Sequence, residues 1–200
     1  MAHLNSHRSV LERSWTKLDA ESLYRLESWG KGYFAINDLG HVVVRPEKIP
    51  EQEIDLLEIV ETLRGRGLTA PILLRFSNLL THRLRALRDA FGAAMTENEY
   101  QNRYLAVYPI KVNQKCDVVQ DIIRSGKAFH HGLEAGSKAE LIAAMASMQD
   151  AEAFLVCNGY KDEEFVDLAL HALKTGVQVV VVIEMPSELP LVLERARQLN

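Results

Sequence analysis

The chain has 200 residues, of which 48% are hydrophobic and 25% are charged, and its formal net charge is −4 at pH 7. This composition allows a sizeable core and predicts one main domain with a small appendage. Acidic and basic residues are intermixed, so the sequence offers no basic surface for nucleic acid. The longest apolar run, residues 179–183, is too short to span a membrane, and residues 1–20 lack the pattern of a signal peptide. Cys116 and Cys157 have neither metal-ligand spacing nor a disulfide framework, which favours a cytoplasmic protein.

A helix and a hairpin are predicted for the N-terminal appendage, residues 1–50. The helix is predicted over residues 6–29, where the pattern is amphipathic and glycines follow its end. Residues 33–36 and 41–45 then flank the sequence Asn-Asp-Leu-Gly at 37–40, whose turn-forming residues indicate a hairpin.

From residue 51 onwards, short apolar runs alternate with helical patterns. A first helical pattern ends near Gly65 and is followed by five apolar runs, at residues 72–76, 104–109, 129–133, 153–157 and 177–183. Each run precedes a predicted helix, over residues 78–98, 113–125, 138–149, 162–175 and 187–199. Ser137 and Glu140 indicate a capping box at the start of the third of these helices, and Gly126 and Gly176 are placed to end the second and fourth.

The spacing of the last four runs, whose starts are about 24–25 residues apart, is typical of βα units around a parallel sheet. Periodicity alone does not decide whether that sheet is open or closed. A complete (β/α)8 barrel takes about 250 residues and eight strands, whereas five units fit here. The last helical pattern also reaches the final residue without a cap. We therefore expect residues 51–200 to be the amino-terminal part of a longer α/β structure.

Lys111 stands just beyond the run at 104–109, two residues after Pro109. Proline cannot donate to a strand ladder, so Pro109 marks the point where the strand leaves the sheet. Barrels of this class build their active sites at the carboxyl ends of their strands, which is where a Schiff-base lysine is needed. The alternative is a solvated lysine at a strand end, and position alone favours that alternative.

Three motifs, in this order, resemble the family of biosynthetic arginine decarboxylases. They are Tyr-Pro-Ile-Lys-Val-Asn-Gln at 108–114, Gly-Leu-Glu-Ala-Gly-Ser-Lys-Ala-Glu-Leu at 132–141 and Cys-Asn-Gly-Tyr-Lys-Asp at 157–162. Members use pyridoxal 5′-phosphate (PLP), are grouped with ornithine and diaminopimelate decarboxylases, and share an alanine racemase-type (β/α)8 barrel. Upstream blocks at 29–30, 37–41 and 82–85 also resemble the arginine enzymes. The resemblance therefore implies that residues 51–200 are the first five βα units of a PLP-binding barrel.

The resemblance implies a function, decarboxylation of L-arginine to agmatine and CO2 in polyamine and spermidine biosynthesis. Lys111 would be the Schiff-base lysine, and Glu134 and Asn158, at the ends of two further runs, would also bind the cofactor. Glu134 could instead be a loop glutamate that contacts only water, and Asn158 an ordinary turn residue. Glu184, after the fifth run, is a weaker candidate and could be an acidic residue favoured at a helix start. The family also implies a homo-oligomer and an association with Mg²⁺, although no residue here predicts a metal site.

Other functions stay open at this point. A related barrel enzyme could decarboxylate ornithine or diaminopimelate or racemise an amino acid, because residues that read substrate length lie beyond this chain. A non-catalytic regulatory homologue and a PLP-free sugar-phosphate enzyme are further alternatives. The family's phosphate-binding glycine loop, its ring-stacking histidine, the acidic partner of the pyridine nitrogen and a cysteine from the partner subunit also lie beyond residue 200. The 200-residue chain alone is therefore expected to be inactive.

Overall fold

The structure is a computed structural model that describes residues 14–199. The chain divides into two compact units, residues 1–79 and residues 80–200. The boundary at residue 50 that the sequence suggested, between an appendage and a barrel portion, stays a prediction.

In the first unit, the described residues begin with two short helices, α1 (Lys17–Leu23) and α2 (Leu26–Gly30). The prediction of one continuous helix over residues 6–29 is therefore wrong, because two separate helices lie in this range. Residues 6–13 of the predicted helix lie outside the described part of the chain. Thr16 and Asp19 form a capping box that starts α1. The helix stops because Arg25 has a left-handed backbone conformation, with φ of 51°, which an α-helix cannot accommodate.

The predicted hairpin is confirmed as part of an antiparallel sheet in this unit. Strands β1 (Phe34–Ile36) and β2 (Val42–Val44) pair across the turn. A short third strand, β3 (Ile54–Asp55), pairs with β2 and leads into α3 (Leu56–Gly65). The Asp55 carboxylate accepts hydrogen bonds from the amides of Leu57 and Glu58 and so caps α3.

The first of the five predicted apolar runs, residues 72–76, does not form a strand of either sheet in the described part of the chain. Residues 72–76 alternate between half-buried and exposed side chains, as in a strand, but they pair with no strand in the described part of the chain. Apolar character favours an extended segment, whereas a strand also needs a neighbour that accepts and donates backbone hydrogen bonds. The apolar pattern reports only the first of these two conditions.

The second unit confirms the predicted alternation of strands and helices. Its elements are α4 (Ser77–Glu97), β4 (Val107–Pro109), α5 (Cys116–Gly126), β5 (Gly132–Ala135), α6 (Lys138–Ser147), β6 (Phe154–Cys157), α7 (Glu163–Lys174), β7 (Gln178–Val181) and α8 (Glu188–Leu199). The four strands form one parallel sheet in the order β4-β5-β6-β7. All four strands therefore end at the same edge of the sheet.

Strand β5 begins three residues later than the run at 129–133 suggested. Residues Lys127–Phe129 form a 3₁₀ turn, and His130 after it has a left-handed conformation. Gly132 then opens the strand at a point of close backbone approach, because a Cβ atom there would lie 1.9 Å from the carbonyl oxygen of Phe154. Glu134 consequently lies inside β5 and not after it.

The core of the second unit lies between the sheet and its helices. Leu133, Leu155 and Cys157 are fully buried on the strands, and Leu141 and Phe165 pack against them from α6 and α7. Burial of this apolar surface fixes the strands and thereby the edge at which they end. None of the helices in the described range, residues 14–199, is long and apolar enough to cross a membrane.

Candidate active site at the carboxyl ends of the strands

Lys111 lies in a 3₁₀ turn, Ile110–Val112, that directly follows β4. Ile110 is 1% exposed and anchors the turn in the core, while the side chain of Lys111 is 62% exposed. The hydroxyl of Tyr108 donates a hydrogen bond to the carbonyl of Asn113 at 3.2 Å, which closes the segment around the lysine. The predicted helix at 113–125 accordingly begins only at Cys116. An anchored backbone with an exposed amine is thus present at the predicted position.

Glu134 is brought to Lys111 by the pairing of neighbouring strands. Pro109 of β4 is in register with Glu134 of β5, and the Lys111 Nζ and Glu134 Oε1 atoms are 3.7 Å apart. The Glu134 side chain is 20% exposed, so it is not the water-bound loop residue of the alternative interpretation. A partly exposed ion pair contributes little to stability. Its main consequence is that an amine and a carboxylate share one site.

Asn158 lies one strand further along the same edge, directly after β6. Its amide donates to the carbonyl of Ala135 at 2.9 Å, and its side-chain Oδ1 accepts from the amide of Gly159 at 3.0 Å. Gly159 has φ of +112°, and a Cβ atom on it would lie 2.5 Å from the carbonyl oxygen of Gly136. Glycine is therefore required at position 159. The side chain of Asn158 thus contacts its own loop, and a role for it in binding a cofactor stays a prediction.

Glu184 contacts the Asn158 loop and does not serve as a helix-start residue. Its Oε1 atom accepts a hydrogen bond from the amide of Gly159 at 2.9 Å. The helix-start interpretation was wrong because α8 begins at Glu188. It is Glu188 that accepts from the amides preceding this helix, those of Glu184 at 2.8 Å and Met185 at 3.3 Å.

Sequence reasoning missed a buried charge pair formed by Lys161 and Glu188. The Lys161 side chain is 0% exposed, the Glu188 side chain 2%, and the Lys161 Nζ atom lies 3.4 Å from Glu188 Oε2. Lys161 also donates to the carbonyl of Gly159 at 2.5 Å. Charged residues are usually exposed, and two residues so far apart in the chain leave no periodic signal. The only available signal was that Lys161 belongs to the third motif.

The pKa values of two buried groups near this edge, Glu188 and Cys157, shift in opposite directions. Burial alone would raise the pKa of Glu188, but hydrogen bonds from the amides of Glu184 and Met185 and from Lys161 outweigh it, and the pKa is lowered overall. Burial raises the pKa of the Cys157 thiol to about 11, against the opposing charge of Lys161. Cys157 is therefore a protonated core residue and not a nucleophile.

A cavity of about 420 Å³ lies away from the candidate site. Its lining includes Arg124, Lys127 and His131 before β5 and Asp150 and Ala153 before β6. These residues precede the strands, whereas Lys111 and Asn158 follow them. The lysine–carboxylate pair is therefore the stronger candidate for the functional site, because active sites of parallel α/β folds lie at the carboxyl ends of strands.

An exposed lysine beside a carboxylate, at the carboxyl edge of a parallel sheet covered by helices, indicates an α/β domain with a candidate ligand or cofactor site on that edge. The family model described as pyridoxal-dependent decarboxylase, pyridoxal binding domain, matches residues 80–199. The chain belongs to this family.

Several relatives carry the same name. The chain is 50% identical over 192 residues to the biosynthetic arginine decarboxylase of Rhodopirellula baltica, which covers 96% of this chain and 29% of that protein. It is 46% identical over 188 residues to the biosynthetic arginine decarboxylase of Phocaeicola vulgatus, covering 94% of this chain and 30% of that protein. The chain thus spans less than a third of the length of these relatives.

The fold is also similar to a solved structure. The crystal structure of the biosynthetic arginine decarboxylase SpeA from Campylobacter jejuni matches with a TM-score of 0.81 and 34% sequence identity. The match covers 88% of this chain and 29% of that one. The expected class, α/β with the first units of a barrel of this type, is confirmed by this match together with the parallel sheet.

The residues present fit a pyridoxal cofactor. An aldehyde is captured by an accessible primary amine, and the Lys111 side chain is exposed at the end of its turn. The Glu134 carboxylate, 3.7 Å away, can hold a cationic nitrogen beside it.

Proposed function

We propose that the full-length protein containing this chain decarboxylates L-arginine to agmatine and CO2, with pyridoxal 5′-phosphate held covalently by Lys111. The observation that carries this proposal is the exposed amine of Lys111, 3.7 Å from the Glu134 carboxylate, on a turn anchored by Ile110. Substrate identity is supported by relatives named biosynthetic arginine decarboxylase at 50% and 46% identity.

The residues of this chain have distinct roles in the proposed reaction. The cofactor, when bound, supplies the electron sink that makes loss of CO2 from an amino acid feasible. Lys111 holds it through its primary amine, the group that captures an aldehyde. Glu134 holds positive charge on the nitrogen next to the reacting carbon. Asn158 contributes through the loop that it shapes at the same edge.

The wider properties of the enzyme follow the same reasoning. The full-length protein acts in polyamine biosynthesis in the cytoplasm, as a homo-oligomer, and with Mg²⁺ associated. Residues 1–50 form an appendage to the barrel portion at 51–200. Within residues 14–199, no cluster of three or more histidine, cysteine, aspartate or glutamate residues could hold a metal ion.

The test is borohydride reduction of the PLP-loaded full-length protein, followed by peptide mapping and an assay for agmatine. We expect one pyridoxyl label per chain, on Lys111, and turnover of arginine in preference to ornithine and diaminopimelate. Lys111→Ala should lose the label and slow turnover by several orders of magnitude. Lys115→Ala, which removes an exposed lysine four residues away, is the matched control.

Each contrary result has a defined meaning. A label on another lysine would overturn the role of Lys111. Turnover of ornithine or diaminopimelate but not arginine would overturn the substrate and leave the cofactor chemistry in place. A protein that is labelled on Lys111 but acts on none of these substrates would be the non-catalytic homologue.

A further inference from the structure

A buried ion pair links the loops that follow β6 and β7. It shares no residue with the Lys111–Glu134 pair. Lys161 and Glu188 are the two partners, and both are almost completely buried. Lys161 belongs to the loop that contains Asn158, and Glu188 is the first residue of α8. Neither residue has a role in the chemistry assigned above.

The contacts of this pair close a ring that joins the two loops. Lys161 donates to the carbonyl of Gly159 at 2.5 Å and lies 3.4 Å from Glu188 Oε2. The same carboxylate oxygen accepts from the amide of Glu184 at 2.8 Å. The side chain of Glu184 then accepts from the amide of Gly159 at 2.9 Å. Residues 159 and 184 are thus connected twice, once directly and once through the buried pair.

Stability alone does not account for the pair. Burying two charges costs desolvation free energy that their attraction often fails to recover, and apolar replacements of similar size are frequently as stable. The Oε1 atom of Glu188 is buried without a hydrogen-bond partner among the described residues, so the pair is not fully compensated. What the pair does provide is a fixed geometry for two loops at the edge where the cofactor site lies.

We propose that Lys161 and Glu188 are positioning residues that hold the Asn158 and Glu184 loops in the conformation required to bind the cofactor. The proposal rests on the proposed function, because it concerns the same site. The pair contacts the loops and not Lys111, so it sets cofactor affinity through the positions of residues 158–159 and 184.

The test uses two variants of the full-length protein that separate stability from positioning. Lys161→Met leaves the Glu188 charge buried and unpaired, so it should lower both the thermal midpoint and the affinity for PLP. The double variant Lys161→Met/Glu188→Leu removes both charges and should recover the midpoint. Because it also removes the tethers to Gly159 and Glu184, its PLP dissociation constant should stay at least about tenfold above that of the wild type.

A second readout does not depend on the cofactor. Hydrogen exchange in the cofactor-free protein should be faster at residues 158–162 and 182–187 in both variants, and unchanged at β4. Lys17→Met, which removes an exposed lysine paired with Asp38, is the control and should alter neither PLP binding nor exchange. Glu188→Gln, which keeps the side-chain shape, should show the same changes at smaller size if Lys161→Met does not fold.

The outcomes distinguish the two proposals. A folded double variant with wild-type PLP affinity and wild-type loop exchange overturns the positioning role. A wild-type protein that does not bind PLP on Lys111 overturns the proposed function. In that case exchange in the cofactor-free protein still decides whether the pair orders the loops, and unchanged exchange in the variants overturns the proposal independently.

Discussion

Lys111 and Glu134 reach one another because their strands are neighbours in register. Pro109 pairs with Glu134, so the turn after Pro109 places the next side chains over the end of β5. The buried Ile110 fixes that turn. The sheet register therefore sets the position of Lys111, and the turn leaves its side chain exposed.

Replacing Glu134 by glutamine tests the electrostatic part of the site. The amide keeps the shape of the side chain but removes the negative charge 3.7 Å from the Lys111 amine. We expect about a tenfold weaker binding of PLP or a tenfold lower kcat/KM for arginine, because hydrogen bonds and contacts that involve charge are the stronger ones. Glu152→Gln, which changes an exposed partner of Arg103, serves as the control. Equal behaviour of the two variants would overturn the electrostatic role of Glu134.

Gly132 offers a test of backbone packing at a single residue. A Cβ at this position would lie 1.9 Å from the carbonyl oxygen of Phe154, a backbone atom that cannot rotate away. We expect Gly132→Ala to prevent or strongly destabilise pairing of β5 with β6, measured by thermal unfolding. Gly92→Ala is the matched control, since Gly92 lies within α4 and an added methyl would meet nothing within 4 Å apart from its chain neighbours and its own helix backbone. It should stabilise by roughly 0.5–1 kcal/mol, and a similar loss in both variants would contradict the close approach.

The sequence located part of the site and not the rest. Lys111 and Glu134 lie in long motifs at predicted strand ends, and the structure brings them together. The Lys161–Glu188 pair depends on how two loops fold back on each other, which no periodicity or spacing encodes. For the same reason, the position of Glu184 was found but its contact with Gly159 was not.

At the scale of elements, local chemistry predicted helix ends better than strand limits. Ser137 caps α6 by accepting from the amide of Glu140, as the capping box predicted, although the Glu140 carboxylate accepts from the amide of Gly136 instead of Ser137. Gly176 follows α7 with φ of +92°, as expected of a glycine after a helix. Residues 72–76 and the start of β5 were misjudged because strands are defined by their partners, which apolar runs do not specify.

The contact between α7 and α8 gives a pH-dependent prediction. Arg195 donates to both carboxylate oxygens of Asp167, and this hydrogen bonding holds the pKa of Asp167 below its usual value. The stability that it contributes is therefore fully present above the unfolded-state pKa of about 3.9. It is lost as pH falls through the lower pKa of the folded state.

The variant Asp167→Asn should lower the thermal midpoint at pH 7, and the difference from the wild type should shrink on acidification below about pH 4. Thermal unfolding of both proteins over a pH series measures it. Asp89→Asn, in an exposed pair with Arg88 at 3.6 Å, should change stability by less than about 0.5 kcal/mol throughout. A constant difference for Asp167→Asn over all pH values would contradict the charge-based origin.

At the scale of the whole molecule, the four-stranded sheet has an unpaired edge at β7 among the described residues. Among the described residues, β7 pairs only with β6, and Val180, Ile183, Leu189 and Leu193 on and after it are exposed. Unpaired strand edges with apolar side chains attract other chains. Relatives more than three times as long as this chain have further sequence with which to cover such a surface.

The 200-residue chain studied by itself should therefore associate as its concentration rises. Val180→Lys should reduce that association, because a charged residue on an edge strand disfavours pairing. Sedimentation velocity over a concentration series measures the effect. Val42→Lys is the matched control, since Val42 is an exposed valine on β2, which has a strand on each side. Equal suppression by both substitutions would place the association elsewhere.

The ring that links Lys161 with Glu188 also has an evolutionary consequence. Replacing either residue alone leaves the charge of the other buried and unpaired. Homologues that lack the ion pair should therefore carry substitutions at both positions. Homologous sequences should therefore covary at 161 and 188, with a neutral residue at one accompanied by a neutral residue at the other. Single substitutions at either position should be rare among homologues, because each leaves one buried charge without its partner.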